Sequence, residues 1–225
     1  MNKNKIKNYI IEKQNHRFEY IIAGKIPLII KDNLISDIDI LDLIKRIETA
    51  LPNISRYLVD SIIVADLDAF KENKTNALYH DNKIYVSNYQ DDLSDMLDDI
   101  VHEYSHALED KYGKEIYFDR SIKDEFISKR LMLRSILQTE YPLDKYNFNK
   151  IEYDKEFDKL LLNVVGYERF NNLTKHGLFI NPYAATSLRE YFATGFEEYV
   201  LGDHKELETI SPKLYKKIFD IMQIL

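Results

Sequence analysis

The run His102-Glu103-Tyr104-Ser105-His106 carries the residue types needed for metal-assisted hydrolysis. Residues four apart on an α-helix stand one above the other on the same face. On a helix, His102 and His106 therefore offer two imidazole nitrogens to one metal ion. Glu103 follows the first of them directly and can reach a water held by that metal, which is the position of a general base. Two imidazoles leave a catalytic zinc one protein ligand short. The chain has no cysteine, so the missing ligand must come from another His or a carboxylate.

The motif has to sit on a helix, and residues 91–111 predict one. Leu93, Met96, Leu97, Ile100, Tyr104 and Leu108 form a single apolar stripe. Asp91 and Asp92 suit the positive N-terminal end, Lys111 suits the other end, and Gly113 reads as the stop. His102 and His106 flank the stripe on a side shared with Asp95 and Asp99. Those carboxylates are either solvated or orient metal-bound imidazoles through hydrogen bonds. A second patterned segment starts at Thr186 or Ser187 as cap and runs to about Leu201, with Gly202 ending it. Glu190 lies in its first turn and is the expected third ligand. Asp203 and His204 beyond Gly202 are competing candidates without a pattern, and His16 and His176 read as surface residues.

The two segments together resemble the gluzincin metallopeptidases. They are more closely similar to the anthrax lethal-factor-like catalytic domain family, which includes the Pro-Pro endopeptidases. Glu190-Tyr191-Phe192-Ala193 matches that family's Glu-x-Phe-Ala stretch, and Tyr183 stands at the family's spacing before the ligand Glu. Ser211-Pro212-Lys213-Leu214-Tyr215 matches the typical ending. The resemblance covers roughly residues 78–220. It implies a single α+β zincin-like domain over 1–225, with 78–220 as metallopeptidase core and 1–60 as a possible N-terminal subdomain. A small twisted sheet would lie over the active-site helix, and the C-terminal half would be mainly helical.

The activity implied is that of a zinc-dependent endopeptidase acting on a protein or peptide. One Zn2+ per chain would be held by His102, His106 and Glu190, with Glu103 as general base and the Tyr183 hydroxyl as oxyanion donor. One position departs from the family: an acidic residue usually stands four after the ligand Glu, and here it is Thr194. Thr194 can make one hydrogen bond but cannot act as a charged partner, a role open to Glu197 or Glu198. Two rivals stand beside the enzyme. One is a catalytically inactive zincin-like binding module of a larger toxin or virion assembly. The other is a structural protein whose histidines hold nothing. Intact Glu103 favours turnover.

Composition bounds the rest. A hydrophobic content of 45% over 225 residues supports one large domain or two small ones. The net charge of −7, without a basic block beyond the first residues, argues against a nucleic-acid partner. The longest apolar run near the start, Ile26 to Ile30, is interrupted by Pro27, so no membrane span is expected. The basic N-terminus lacks the roughly 7–15-residue apolar core of a signal peptide, which implies a cytoplasmic protein or export by a route that needs none. Oligomeric state is not encoded in any pattern.

Short β-branched and aromatic runs, Tyr9-Ile10-Ile11, Phe18 to Ile22 and Ile26 to Ile30, predict one or two strands. Ser36 reads as the cap of a helix to about Leu51, closed by Pro52. Ser61 to Ala65 reads as a strand. Leu78 to Ser87 reads as a hairpin around Asp81-Asn82, placed where an edge strand could pair with extended substrate or where an interior strand could lie. Ser121 starts a helix to about Gln138 whose Phe126, Leu131, Leu133 and Ile136 face the core. The stretch 140–182 is irregular apart from a helix near Lys155 to Val165. Ser211 caps a last helix with Pro212 in first position and Leu214, Ile218, Ile221 and Met222 packed inward.

Overall fold

The computed structural model describes residues 18–51, 58–175 and 177–224. The expected strand at Tyr9-Ile10-Ile11, Pro52, His16 and His176 lie outside them. The described chain is α+β, with a small mixed five-stranded sheet and a mostly helical C-terminal half. It divides into two compact units, Met1–Lys111 and Tyr112–Leu225. No helix among the described residues is long and apolar enough to cross a membrane.

In the first unit two hairpins flank a parallel centre. β1 (Phe18–Ile22) and β2 (Ile26–Ile30) pair antiparallel with Phe18 opposite Ile30. Their turn places Ala23 and Gly24 at φ of 49° and 65°. β4 (Ala77–His80) and β5 (Lys83–Ser87) close through Asp81 and Asn82, both left-handed at φ of 48° and 58°. Short polar side chains tolerate that conformation, and the mirror-image turn matches strand twist, as the sequence predicts. β3 (Ser61–Ala65) pairs parallel with β2 on one side and β5 on the other. All five of its residues are buried, as expected for a strand covered on both faces. The sheet order is β1-β2-β3-β5-β4, so β5 is interior and β4 is an edge.

Two helices and the part of a third up to Lys111 complete this unit. α1 (Ile40–Ala50) is capped by Asp39, whose Oδ1 accepts from the N–H groups of Leu41 and Asp42 at 2.8 and 3.2 Å. Ser36, the expected cap, instead donates its hydroxyl to the Gln90 carbonyl. The short α2 (Asp68–Asn73) was not signalled by periodicity. α3 (Leu93–Tyr117) starts under an Asp92 cap that accepts from Ser94 and Asp95. Gly113 does not stop it. The helical geometry breaks at Tyr112 (φ −114°, ψ 20°) and then resumes to Tyr117.

In the second unit α4 (Ser121–Leu137) buries Ile122, Phe126, Lys129, Arg130, Leu133 and Leu137. Two cations on the inner face were not foreseen. Lys129 Nζ donates to the carbonyls of Leu178 and Ile210 at 2.8 and 2.7 Å. The Arg130 guanidinium lies 3.7 Å from the Phe157 ring centre and donates to the Lys150 carbonyl. With that face turned inward, Leu131 and Ile136, expected in the core, are each 39% exposed. The helix expected near Lys155 is α5 (Lys155–Lys159), continued by a π-helical stretch Leu160–Gly166 and then α6 (Tyr167–Lys175).

After a 3-10 turn at Tyr183–Ala185 come α7 (Leu188–Leu201), α8 (His204–Ile210) and α9 (Pro212–Met222). Ser211 occupies the cap position of α9 without a side-chain hydrogen bond to it. That role falls to Glu125 of α4, which accepts from the N–H groups of Lys213 and Leu214 at 2.8 and 3.1 Å. The same carboxylate accepts from the Tyr191 hydroxyl of α7 at 2.8 Å. One charge on α4 thus ties down two other helices, and its position at a helix N-terminus is favourable.

Glu125→Ala strands the buried Tyr191 hydroxyl and two amide donors. It should lower stability by about 2–3 kcal/mol in urea unfolding, with Glu125→Gln milder because an amide oxygen still accepts. Burial also depresses the Lys129 ammonium from its ordinary range to about 8. The unfolded chain keeps that proton to higher pH, so between about pH 8 and pH 10 the Lys129 contribution to stability rises with pH. The difference in unfolding free energy between wild type and Lys129→Met should therefore widen in favour of wild type across that window.

Candidate metal centre

The motif helix α3 packs Met96, Ile100, Val101, Tyr104, Ala107 and Leu108 inward, all nearly fully buried. That fixes the helix's rotation and so the direction of His102 and His106. Their rings meet edge to face, 5.2 Å between centres and 85° between planes. His106 is 7% exposed, and its Nδ1 lies 2.8 Å from Glu109 Oε2. Ser105 satisfies its hydroxyl on the His102 carbonyl.

Glu103 is also buried, and its carboxylate is held by the sheet. The Tyr79 amide of edge strand β4 donates to Glu103 Oε2 at 2.6 Å. A charge-assisted bond of this kind orients a carboxylate more firmly than a neutral pair does. Glu103 is thus anchored to β4, the edge strand of the sheet among the described residues.

The two aspartates considered as imidazole partners differ in exposure. Asp95 is exposed, and desolvation, followed by the neighbouring charges of Asp92 and Asp91, pushes its carboxyl up from the usual range. Asp99 accepts from the Gln90 side-chain amide at 2.9 Å. Glu109, one turn after His106, places a carboxylate oxygen on that imidazole. The i,i+3 spacing of His106 and Glu109 was the available signal for it.

Glu190 sits in the first turn of α7, and its backbone N–H is taken by the Ser187 side chain at 3.1 Å. Ser187, in an extended conformation, is the cap that the sequence offered as one of two. The following residues lock the helix: Tyr191, Phe192 and Phe196 are fully buried. At Gly195 the backbone comes so close to α9 that an added Cβ would lie 2.3 Å from Leu214 Cδ2.

Tyr183, in the 3-10 turn before α7, is half exposed, and its carbonyl accepts from the Thr186 N–H and hydroxyl. Thr194 is buried at 2% exposure, and its hydroxyl has no hydrogen-bond partner among the described residues. Glu198 is occupied as an acceptor for the Asp203 N–H. Asp203 itself caps α8, and His204 stacks on Tyr199 with ring centres 4.4 Å apart.

Among the described residues, one set of three His or acidic side chains could hold a metal ion: His102, His106 and Glu190. Each offers one ligand atom, and these atoms lie within 4.8 Å of one another. Two imidazoles and one carboxylate form a donor set of the kind that binds catalytic zinc and leaves a coordination position open.

Gly195→Ala should destabilise the protein by about 1–3 kcal/mol through overpacking against Leu214. Adding Leu214→Ala should make the double variant more stable than the sum of the two single effects predicts, a coupling measurable by a double-mutant cycle in urea. No protein-family model, curated protein or solved structure matches the chain.

Proposed function

We propose that the chain is a zinc-dependent endopeptidase of the gluzincin type, with a zincin-like fold and kinship to the lethal-factor-like catalytic domains. The observation that carries this reading is the convergence of the His102, His106 and Glu190 ligand atoms, with Glu103 next in sequence to the first ligand. A zinc ion in such a site supplies Lewis acidity and lowers the pKa of a bound water towards 7. Everything else falls to the chain.

Glu103 takes a proton from the attacking water, and the hydroxide oxygen adds to the scissile carbonyl carbon. The Tyr183 hydroxyl donates to the developing oxyanion. When the C–N bond breaks, Glu103 returns the proton to the leaving nitrogen and the second water proton follows from the new carboxyl group, so one water is consumed and a carboxylate and a protonated amine are released. Extended substrate aligns along the outer side of β4, where main-chain pairing gives affinity without demanding a sequence. The Tyr79 amide keeps Glu103 aimed from that same strand.

One observation favours the inactive binding module as a second reading. Thr194 stands where the resembling family has a charged partner, and it leaves a buried hydroxyl without a protein acceptor among the described residues. Such a chain would keep the metal and lose turnover.

Elemental analysis after dialysis should give about one zinc per wild-type chain and a clear loss for Glu190→Ala. Cleavage of a peptide library by the zinc-loaded wild type should fall by a factor on the order of 10²–10⁴ in Glu103→Gln. Tyr183→Phe should lower kcat by about 10²–10³ with KM nearly unchanged. Zinc without cleavage would select the binding module. A wild type that takes up no zinc would overturn both readings.

A further inference from the structure

We infer that Glu109 is a positioning residue: its carboxylate holds the His106 ring as the Nδ1–H tautomer and presents Nε2 as the donor atom. The inference rests on the metal-site reading for its purpose, and on the geometry of the Glu109 and His106 side chains for its evidence. His106 Nδ1 and Glu109 Oε2 are 2.8 Å apart, and both side chains are 8% exposed.

The chemistry follows from what each atom can do. An ionised carboxylate only accepts hydrogen bonds, so the imidazole nitrogen facing it must carry the proton. A neutral imidazole has one proton to place, and with Nδ1 protonated the lone pair stands on Nε2. A ring flip would exchange Nδ1 with Cδ2 and turn a C–H towards Glu109, losing the bond. Glu109 therefore fixes both the tautomer and the ring plane. His102 packs edge-on against that ring, so the plane set by Glu109 also shapes the space around the first ligand.

Glu109 lies outside the set of three convergent ligands, so it orients a ligand and is not one. As a plain helix-stabilising residue a buried carboxylate would be a poor choice, because desolvating it is costly unless a partner is fixed in place. A neighbouring carboxylate also raises the basicity of an imidazole ligand, and loss of such a partner typically costs about 10–100-fold in metal affinity.

The test uses the full chain in two states. In the metal-free 15N-labelled protein, long-range proton–nitrogen spectra assigned with His106→Gln should show His106 protonated at Nδ1 in wild type and in Glu109→Gln, whose amide oxygen still accepts. In Glu109→Ala the ring should become a mixture of tautomers. Zinc affinity, measured by competition with a chromophoric chelator, should fall about 10–100-fold in Glu109→Ala and less in Glu109→Gln. Circular dichroism melts of the apo proteins separate this from loss of fold, and a tautomer change does not follow from simple destabilisation.

A wild-type His106 protonated at Nε2 would overturn the inference. So would a Glu109→Ala variant that keeps both the Nδ1–H tautomer and full zinc affinity. If wild type binds no zinc but shows the Nδ1–H form that Glu109→Ala loses, the peptidase reading falls while the role of Glu109 in orienting the ring stands.

Discussion

Burial of one face of α3 is the constraint from which the site follows. Tyr104, Met96, Ile100 and Leu108 have essentially no exposure, so the helix cannot rotate about its axis without exposing apolar area. At about 25 cal/mol per Å² that restriction is strong for even a modest rotation. The positions of His102, Glu103 and His106 on the helix surface are therefore set by residues that do no chemistry themselves. Polar contacts then refine what packing fixes coarsely. The β4 amide settles Glu103, and Glu109 settles His106.

The helix that carries Glu190 is held by different means. Its start is fixed by the Ser187 cap and its body by a close backbone approach at Gly195. Glu125 adds a partly buried charge-assisted contact through Tyr191, the residue after the candidate ligand. This carboxylate has three donors, which is what makes a desolvated charge tolerable in an interior. Lys129, one turn further along α4, follows the same rule by placing its ammonium on two carbonyls.

The parts of the fold that the sequence makes legible are those governed by local rules. The Asp81-Asn82 turn, the Ser187 cap and the apolar stripe of α3 each follow from residue type and spacing within one element. The misreadings come from interactions between distant segments. Ser36 has the chemistry of a helix cap but spends its hydroxyl on the Gln90 carbonyl. Ser211 is likewise displaced by Glu125, which lies far away in the chain. On α4 Phe126 and Leu133 face the core as expected, but Lys129 and Arg130 share that face and leave Leu131 and Ile136 partly exposed, because periodicity counts a cation as polar whatever it meets. At the site, His102, Glu103, His106 and Glu190 could be singled out by type and spacing, whereas Glu109 needed the geometry that places its oxygen on Nδ1.

The bond between the Tyr79 amide and Glu103 also bears on how the molecule keeps to itself. A sheet edge presents backbone donors and acceptors in a row, and proteins guard such rows against pairing with other chains. β4 is only four residues long, and one of its outward donors is engaged by a buried carboxylate. Glu103 is therefore a gatekeeper of the edge. A substitution that shortens its side chain would leave the amide at Tyr79 seeking another acceptor, and a neighbouring molecule's backbone would be a suitable one. The exposure of this edge to other chains and the orientation of Glu103 are in this way linked through a single hydrogen bond.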